Sequence, residues 1–184
     1  RIFCEYRDQR SFPLLLPLLD QPCPVERMSA VYALGRNPCP NAVQKLVSLL
    51  ETDDNAYVRR ATAWSLANYD NQIVLAPLIN ALKNDVAAVR LWSSSSLAEI
   101  GNVSLENAQL AAEQLLISLK IDNEPGVRSN CIWSLSRLYE KLNNTSQESF
   151  IDECTKIALF DKEPSVMEEA KTALDSMGMQ GFYN

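Results

Sequence analysis

Two cysteines, Cys23 and Cys39, stand in identical Pro-Cys-Pro tripeptides sixteen positions apart. A thiol pair of that kind could hold a metal, close a disulfide or capture an electrophilic cofactor, so its placement decides between chemistry and architecture. Cys4, Cys131 and Cys154 carry no motif, and five cysteines without clustered spacing read as reduced thiols in a cytoplasmic compartment. The sequence contains no histidine, which removes the commonest general base and the commonest metal ligand. The carboxylate pairs Asp53/Asp54 and Glu168/Glu169 are adjacent in sequence, so they diverge and do not converge on one substrate. No catalytic residue and no metal-ligand set emerges from these positions.

Composition narrows the field further. With 17 Lys+Arg against 23 Asp+Glu, the net charge of −6 lacks the basic excess that neutralises phosphates, so nucleic acid and anionic membranes are poor partners. No apolar run reaches the length of a membrane span; "SFPLLLPLLD" is short and interrupted by Pro13 and Pro17.

The elements that position these residues come from a repeat. "RMSAVYAL" at Arg27, "RRATAWSL" at Arg59, "RLWSSSSL" at Arg90, "RSNCIWSL" at Arg128 and "MEEAKTAL" at Met167 all end in leucine seven positions on. Successive anchors are 32, 31, 38 and 39 residues apart, a period that means stacked repeats. Between them lie apolar segments with helical spacing, "FPLLLPLL", "AVQKLVSLL", "VLAPLINAL", "AAEQLLISLK" and "ECTKIALF", each ending in an acidic or amide turn. Each unit therefore reads as helix A, a turn, and helix B, and no segment alternates with period two. The expected fold is an all-α solenoid of about five helix pairs forming one domain, with repeats near 11–37, 38–70, 71–102, 103–144 and 145–178. Residues 1–6 match the end of a helix B, with Phe3 under Leu66 and Tyr6 under Tyr69, so the sequence is expected to follow at least one further unit.

These repeats resemble HEAT repeats, in particular those of the cyanobacterial phycobilisome-lyase-like family, whose pattern is roughly V-R-x-x-A-A-x-A-L-G. "VRRATAWSLA" and "PVERMSAVYALG" fit it well, while "VRLWSSSSLA" and "VRSNCIWSLS" carry small polar residues in place of alanine. The resemblance implies ladders between neighbouring units made by the acidic turn residue and the arginine. Asp54 and Arg59, then Asp85 and Arg90, keep the five-residue separation and take that role. "WSLAN" is also similar to the W-x-x-x-N element of armadillo-repeat import receptors, although steps of 31 and 32 residues are short for three-helix repeats.

On this map one Pro-Cys-Pro enters the first helix B and the other leaves it. A helix over about Val25 to Arg36 spans about 18 Å, too far for a shared bond or metal, so both tripeptides read as joints with small buried thiols. Cys39, beside Arg36, is the candidate for a single reactive thiol.

Counting from the arginine, positions −1, +3, +6 and +7 of helix B form the inward stripe, and +1, +5 and +9 share another face. The second face holds Tyr32 and Arg36; Arg60, Trp64 and Asn68; Glu99, with Trp92 at +2; and Trp133 and Arg137. The resemblance places this face on the concave side, where aromatics edged by arginines suit an acidic or amphipathic protein segment. Two readings of the aromatics stand open, a binding face or filler between units.

The expected function is a non-catalytic scaffold holding a client protein and needing no cofactor. The resemblance implies an alternative, an E/F-type phycobilin lyase subunit working with a second HEAT-like chain, its bilin contacted by Arg36, Arg60 and Glu99. IscA-associated HEAT proteins, linked to iron–sulfur handling, look similar too, although the cysteine spacing offers no site for a cluster shared with a partner.

Overall fold

The computed structural model describes residues 8–69, 72–181 and 183, and every regular element among them is helical. The α-helices are α1 (Phe12–Leu15), α2 (Pro24–Arg36), α3 (Val43–Thr52), α4 (Ala56–Leu66), α5 (Leu75–Asn84), α6 (Ala87–Gly101), α7 (Leu105–Ile121), α8 (Pro125–Leu138), α9 (Asn144–Phe160) and α10 (Pro164–Ser176). They pair as the repeat requires, which makes the fold an α-solenoid of helix hairpins. The chain separates into two compact units, Arg1–Ile100 and Gly101–Asn184. The expected helix end at 1–6, with Phe3, Cys4 and Tyr6, lies outside the described residues. No helix among the described residues is long and apolar enough to cross a membrane.

In the first unit the A helices α3 and α5 pack side by side, as do the B helices α2 and α4, and α3 closes against α4. Helix α3 buries Val43, Leu46, Val47, Leu49 and Leu50, a stripe one helical face wide. The B helices bury the positions that the repeat predicts: Val58, Thr62, Ser65 and Leu66 on α4, and Val89, Ser93, Ser96 and Leu97 on α6. Small side chains in the middle of the stripe let the helices approach. Ser96 Oγ then donates to the Ala63 carbonyl at 2.8 Å, fixing α6 to α4. Ser65 and Ser93 do not share this benefit, because their buried hydroxyls have no partner among the described residues. Ser65→Ala and Ser93→Ala are each expected to raise the unfolding free energy by about 1 kcal/mol, measured by denaturant titration, since removing an unsatisfied buried hydroxyl removes its desolvation cost.

The segment "FPLLLPLL" differs from the single helix expected of it. Only α1 is α-helical, and Leu16–Asp20 continues as a 3-10 turn, because Pro17 has no N–H for the next α-helical bond.

In the second unit the A helices α7 and α9 are neighbours, the B helices α8 and α10 are neighbours, and each A helix packs on its own B helix. Ser104 and Asn143 cap α7 and α9, accepting the Asn107 and Ser146 N–H groups at 3.0 and 2.9 Å. Pro125 and Pro164 start α8 and α10 at positions that need no donor. Gly178 ends α10 at φ +77°, and the Met179 N–H returns to the Leu174 carbonyl at 2.9 Å.

The arginine anchors work as clasps that join consecutive turns. Arg59 donates through Nη1 to the Asp53 carbonyl of its own turn, and through Nε and Nη2 to both carboxylate oxygens of Asp85 in the next, at 2.8 and 2.7 Å. Arg27 repeats this with the Gln21 carbonyl and Asp53, and Arg128 with the Asp122 carbonyl and Asp161. The carboxylates also fold their own turns: Asp53 and Asp161 accept N–H groups two residues on, from Asn55 and Glu163.

The clasps run between neighbouring repeats, as the ladder expectation had it, with Arg59 reaching Asp85; Arg90 donates to the Asp85 carbonyl of its own turn. One residue of the ladder needs correction. At the first joint Asp53, whose side chain is 2 % exposed, receives Arg27 through two bonds, whereas Asp54 is 93 % exposed and receives one bond at 3.2 Å. Asp54 is adjacent to the clasp but is not its buried acceptor.

Burial raises the carboxyls of Asp53, Asp85 and Asp161, yet hydrogen bonds from arginine and turn N–H groups outweigh it, so all three titrate below the ordinary carboxylate range. In return, hydrogen bonds to Asp53 and Asp85 hold the Arg27 and Arg59 guanidiniums above their ordinary value.

Candidate protein-binding face

The same helical register that sends Val58, Thr62 and Leu66 inward turns Arg60 and Trp64 the other way. Because α2 and α4 lie side by side, position +5 of one helix meets position +5 of the next: the Tyr32 and Trp64 ring centroids are 5.4 Å apart with planes inclined by 53°. The Arg36 guanidinium sits 5.7 Å from the Trp64 ring, within cation–π range. Arg60 stands 5.5 Å from the Tyr57 ring, and Tyr57 itself is 64 % exposed. Repeat positions did not single out Tyr57; its signal is the tyrosine–arginine spacing of three on one helix.

A missing side chain shapes this cluster. A Cβ on Gly35 would fall 2.5 Å from Trp64 Cζ3, so the indole lies directly on the α2 backbone. Trp64 is therefore half-buried, both packed between neighbouring B helices and presented at the surface. Asn68 is exposed one turn beyond it, its amide directed at the last α4 carbonyls. Trp92 and Glu99 are exposed on α6.

The arginines of this face differ from the clasps. Among the described residues neither Arg36 nor Arg60 meets a carboxylate, and Arg60 Nε is buried without an acceptor. In the second unit Trp133 is exposed on α8, with the Arg137 guanidinium 5.0 Å from its ring one turn later. The structure thus joins Tyr32, Arg36 and Trp64, joins Arg60 to Tyr57, and joins Trp133 to Arg137 as a separate pair.

The two Pro-Cys-Pro joints have opposite surroundings. Cys39 is 3 % exposed, its N–H donating to the Tyr69 hydroxyl, which in turn donates to the Leu34 carbonyl. Burial pushes the Tyr69 phenol up to about 12, so it stays a neutral donor across the working range. Cys23, in contrast, is exposed at the start of α2. The expectation of two buried thiols therefore fails for Cys23, and Cys39 is shielded from reagents despite its neighbour Arg36. Burial also pushes the Cys131 and Cys154 thiols well above the ordinary range. In the folded protein, Cys23 is expected to react with a maleimide while Cys39, Cys131 and Cys154 do not; peptide mapping before and after denaturation checks this.

Among the described residues no group of three or more Cys, Asp or Glu side chains could hold a metal ion. Grooves along the turns are floored by the Arg59–Asp85 and Arg128–Asp161 clasps, whose charges are already satisfied.

Comparison with known proteins agrees with this architecture. The family model for HEAT repeats matches residues 1–67 and 42–136. No curated protein sequence matches the chain. Among solved structures, the complex of CpcE and CpcF of phycocyanin lyase from Nostoc sp. PCC7120 is similar at 23 % identity and a TM-score of 0.69, over 90 % of this chain and 99 % of that one. A designed armadillo repeat protein in complex with the peptide (KR)4 is similar at 21 % identity and a TM-score of 0.64, over 92 % and 89 %. Human deoxyhypusine hydroxylase in complex with glycerol follows at 17 % identity and a TM-score of 0.56, over 98 % and 76 %. At such identities the likeness speaks for the fold, and together with the family match it identifies the chain as a member of the HEAT-repeat family.

Proposed function

We propose that this protein is a non-catalytic scaffold that holds a segment of a client protein on the outward face of its B helices. The observation that carries this reading is the pairing of exposed or half-buried tryptophans with arginines at recurring repeat positions, Trp64 with Arg36 and Trp133 with Arg137. Tryptophan, tyrosine and arginine combine large apolar area with directional donors and dominate binding hot spots. The four described cysteines are free thiols, in keeping with a reducing cytoplasmic setting.

The test uses the protein as bait in an extract of its own cells, beside Trp133→Ala. Trp133 is exposed, so its loss should leave folding intact and deplete a specific client, identified by mass spectrometry and then bound as a purified protein. Equal capture by both baits overturns the reading.

The second reading is a phycobilin lyase subunit acting with another HEAT-like chain in a cyanobacterial phycobilisome context. Its support is the similarity to the CpcE and CpcF complex over 90 % of the chain, together with Arg36, Arg60 and Glu99 on B-helix faces of one unit. Arginines would contact bilin propionates, and a carboxylate would face the pyrrole N–H groups. Phycocyanobilin mixed with the protein, alone and with a candidate second chain, should then show a shifted visible spectrum; an unchanged spectrum removes this reading.

A further inference from the structure

We infer that the face formed by α2 and α4 takes an acidic segment of its client, with side-chain carboxylates seated on Arg36 and Arg60 and an apolar residue against Trp64. The inference rests on the scaffold reading and adds the chemistry of the occupant.

Three observations carry it. Five of the described arginines fall into two kinds. Arg27, Arg59 and Arg128 each donate to both carboxylate oxygens of one aspartate and to a turn carbonyl. Arg36 and Arg60 meet aromatic rings and, among the described residues, no carboxylate. In a chain with net charge −6, these two cations stand on adjacent helices. Positions 28, 32 and 36 of α2, 60 and 64 of α4, and 68 just beyond its end contain no Asp or Glu.

The Nε of Arg60 is the second observation. Among the described residues it lacks an acceptor, so no carboxylate of the chain neutralises this guanidinium through it. The rings lie 5.7 and 5.5 Å from the guanidiniums, and such contacts reduce the side-chain freedom lost when a carboxylate arrives. Third, the neighbouring Tyr32–Trp64 pair leaves an apolar surface half-open between the two arginines' helices, which suits an aliphatic or aromatic residue flanked by acids. A basic peptide such as the (KR)4 held by the designed armadillo repeat protein would meet like charge here.

The test uses the whole chain and three labelled peptides with the same apolar residues, rich in glutamate, glutamine or lysine. Fluorescence anisotropy should show the glutamate peptide binding at least tenfold more tightly than the glutamine peptide, with the lysine peptide weaker still. Its affinity should fall between about 50 and 500 mM salt. Arg36→Gln with Arg60→Gln should weaken glutamate-peptide binding on the order of tenfold or more, and Arg36→Lys with Arg60→Lys should keep much of it. The salt series on the unmodified protein stands if a variant misfolds. Equal affinity for the glutamate and glutamine peptides overturns the acidic occupant and leaves the scaffold standing. Binding by none of the three overturns both. Displacement of the glutamate peptide by phycocyanobilin, with the pigment bound at the lower concentration, overturns the inference in favour of a pigment site.

Discussion

Arg59→Met is expected to lower the unfolding free energy by about 3 kcal/mol, because it strands a carboxylate that has left water. The Arg59 and Asp85 side chains are 17 % and 12 % exposed, and without the guanidinium the Asp85 carboxylate keeps the Val86 N–H among the described residues. Arg59→Met with Asp85→Leu should recover most of the loss, since a well-packed apolar pair needs no compensation. Arg10→Ala provides the contrast: its side chain is 92 % exposed, so removing its pair with Asp8 should leave the denaturant midpoint unchanged. The pH dependence gives an independent reading. Asp85 is held below its ordinary value, so its contribution is complete above the unfolded carboxyl value near about 4 and drains away as pH falls through the lower folded value. Denaturant titrations from neutral pH into the acid range should therefore show a shallower acid decline in Arg59→Met than in the natural protein. An identical slope in both would separate the clasp from acid stability.

Gly35→Ala should destabilise the first unit by about 1–2 kcal/mol although alanine is the better helix former by about 1 kcal/mol. The new Cβ would lie 2.5 Å from Trp64 Cζ3 and 3.1 Å from Ser65 Cα, and backbone in a neighbouring helix yields less readily than a ring. The ring must swing out, so tryptophan emission should shift to the red and the Tyr32–Trp64 contact should be lost. Gly181→Ala, where nothing lies within 4 Å of the added carbon, supplies the control. Unchanged emission and stability in Gly35→Ala would mean that Trp64 is not seated on α2. Because Trp64 is seated on α2, its own replacement would mix folding with any effect on binding, whereas Trp133 is the more exposed of the two.

What could be read in advance was set by local periodicity. Positions −1, +3, +6 and +7 of α8, Val127, Cys131, Ser134 and Leu135, are all buried, because a helix fixes their common direction whatever their polarity. The polar serines of "RLWSSSSL" were legible for the same reason. Contacts set by a distant segment were not. The arginine reaches forward to the following turn, so a five-residue spacing favoured Asp54 over its neighbour Asp53, and nothing local says which of two adjacent carboxylates faces inward. Likewise the two Pro-Cys-Pro tripeptides are identical in sequence, but only Cys39 lies under a tyrosine hydroxyl contributed from thirty residues on. The tilt of Trp64 onto Gly35 depends on how closely two helices approach, which side-chain spacing along either helix alone does not reveal.

Each clasp holds one turn by its peptide oxygen and the following turn by its acid group, so the linkage has a direction and always needs a successor. Such a chain can be lengthened by copying one hairpin, since every copy brings the cation for the next and the anion for the last. A terminal hairpin, by contrast, has only half of its fastenings, and hydrogen exchange within each unit should accelerate towards any end where that half is missing.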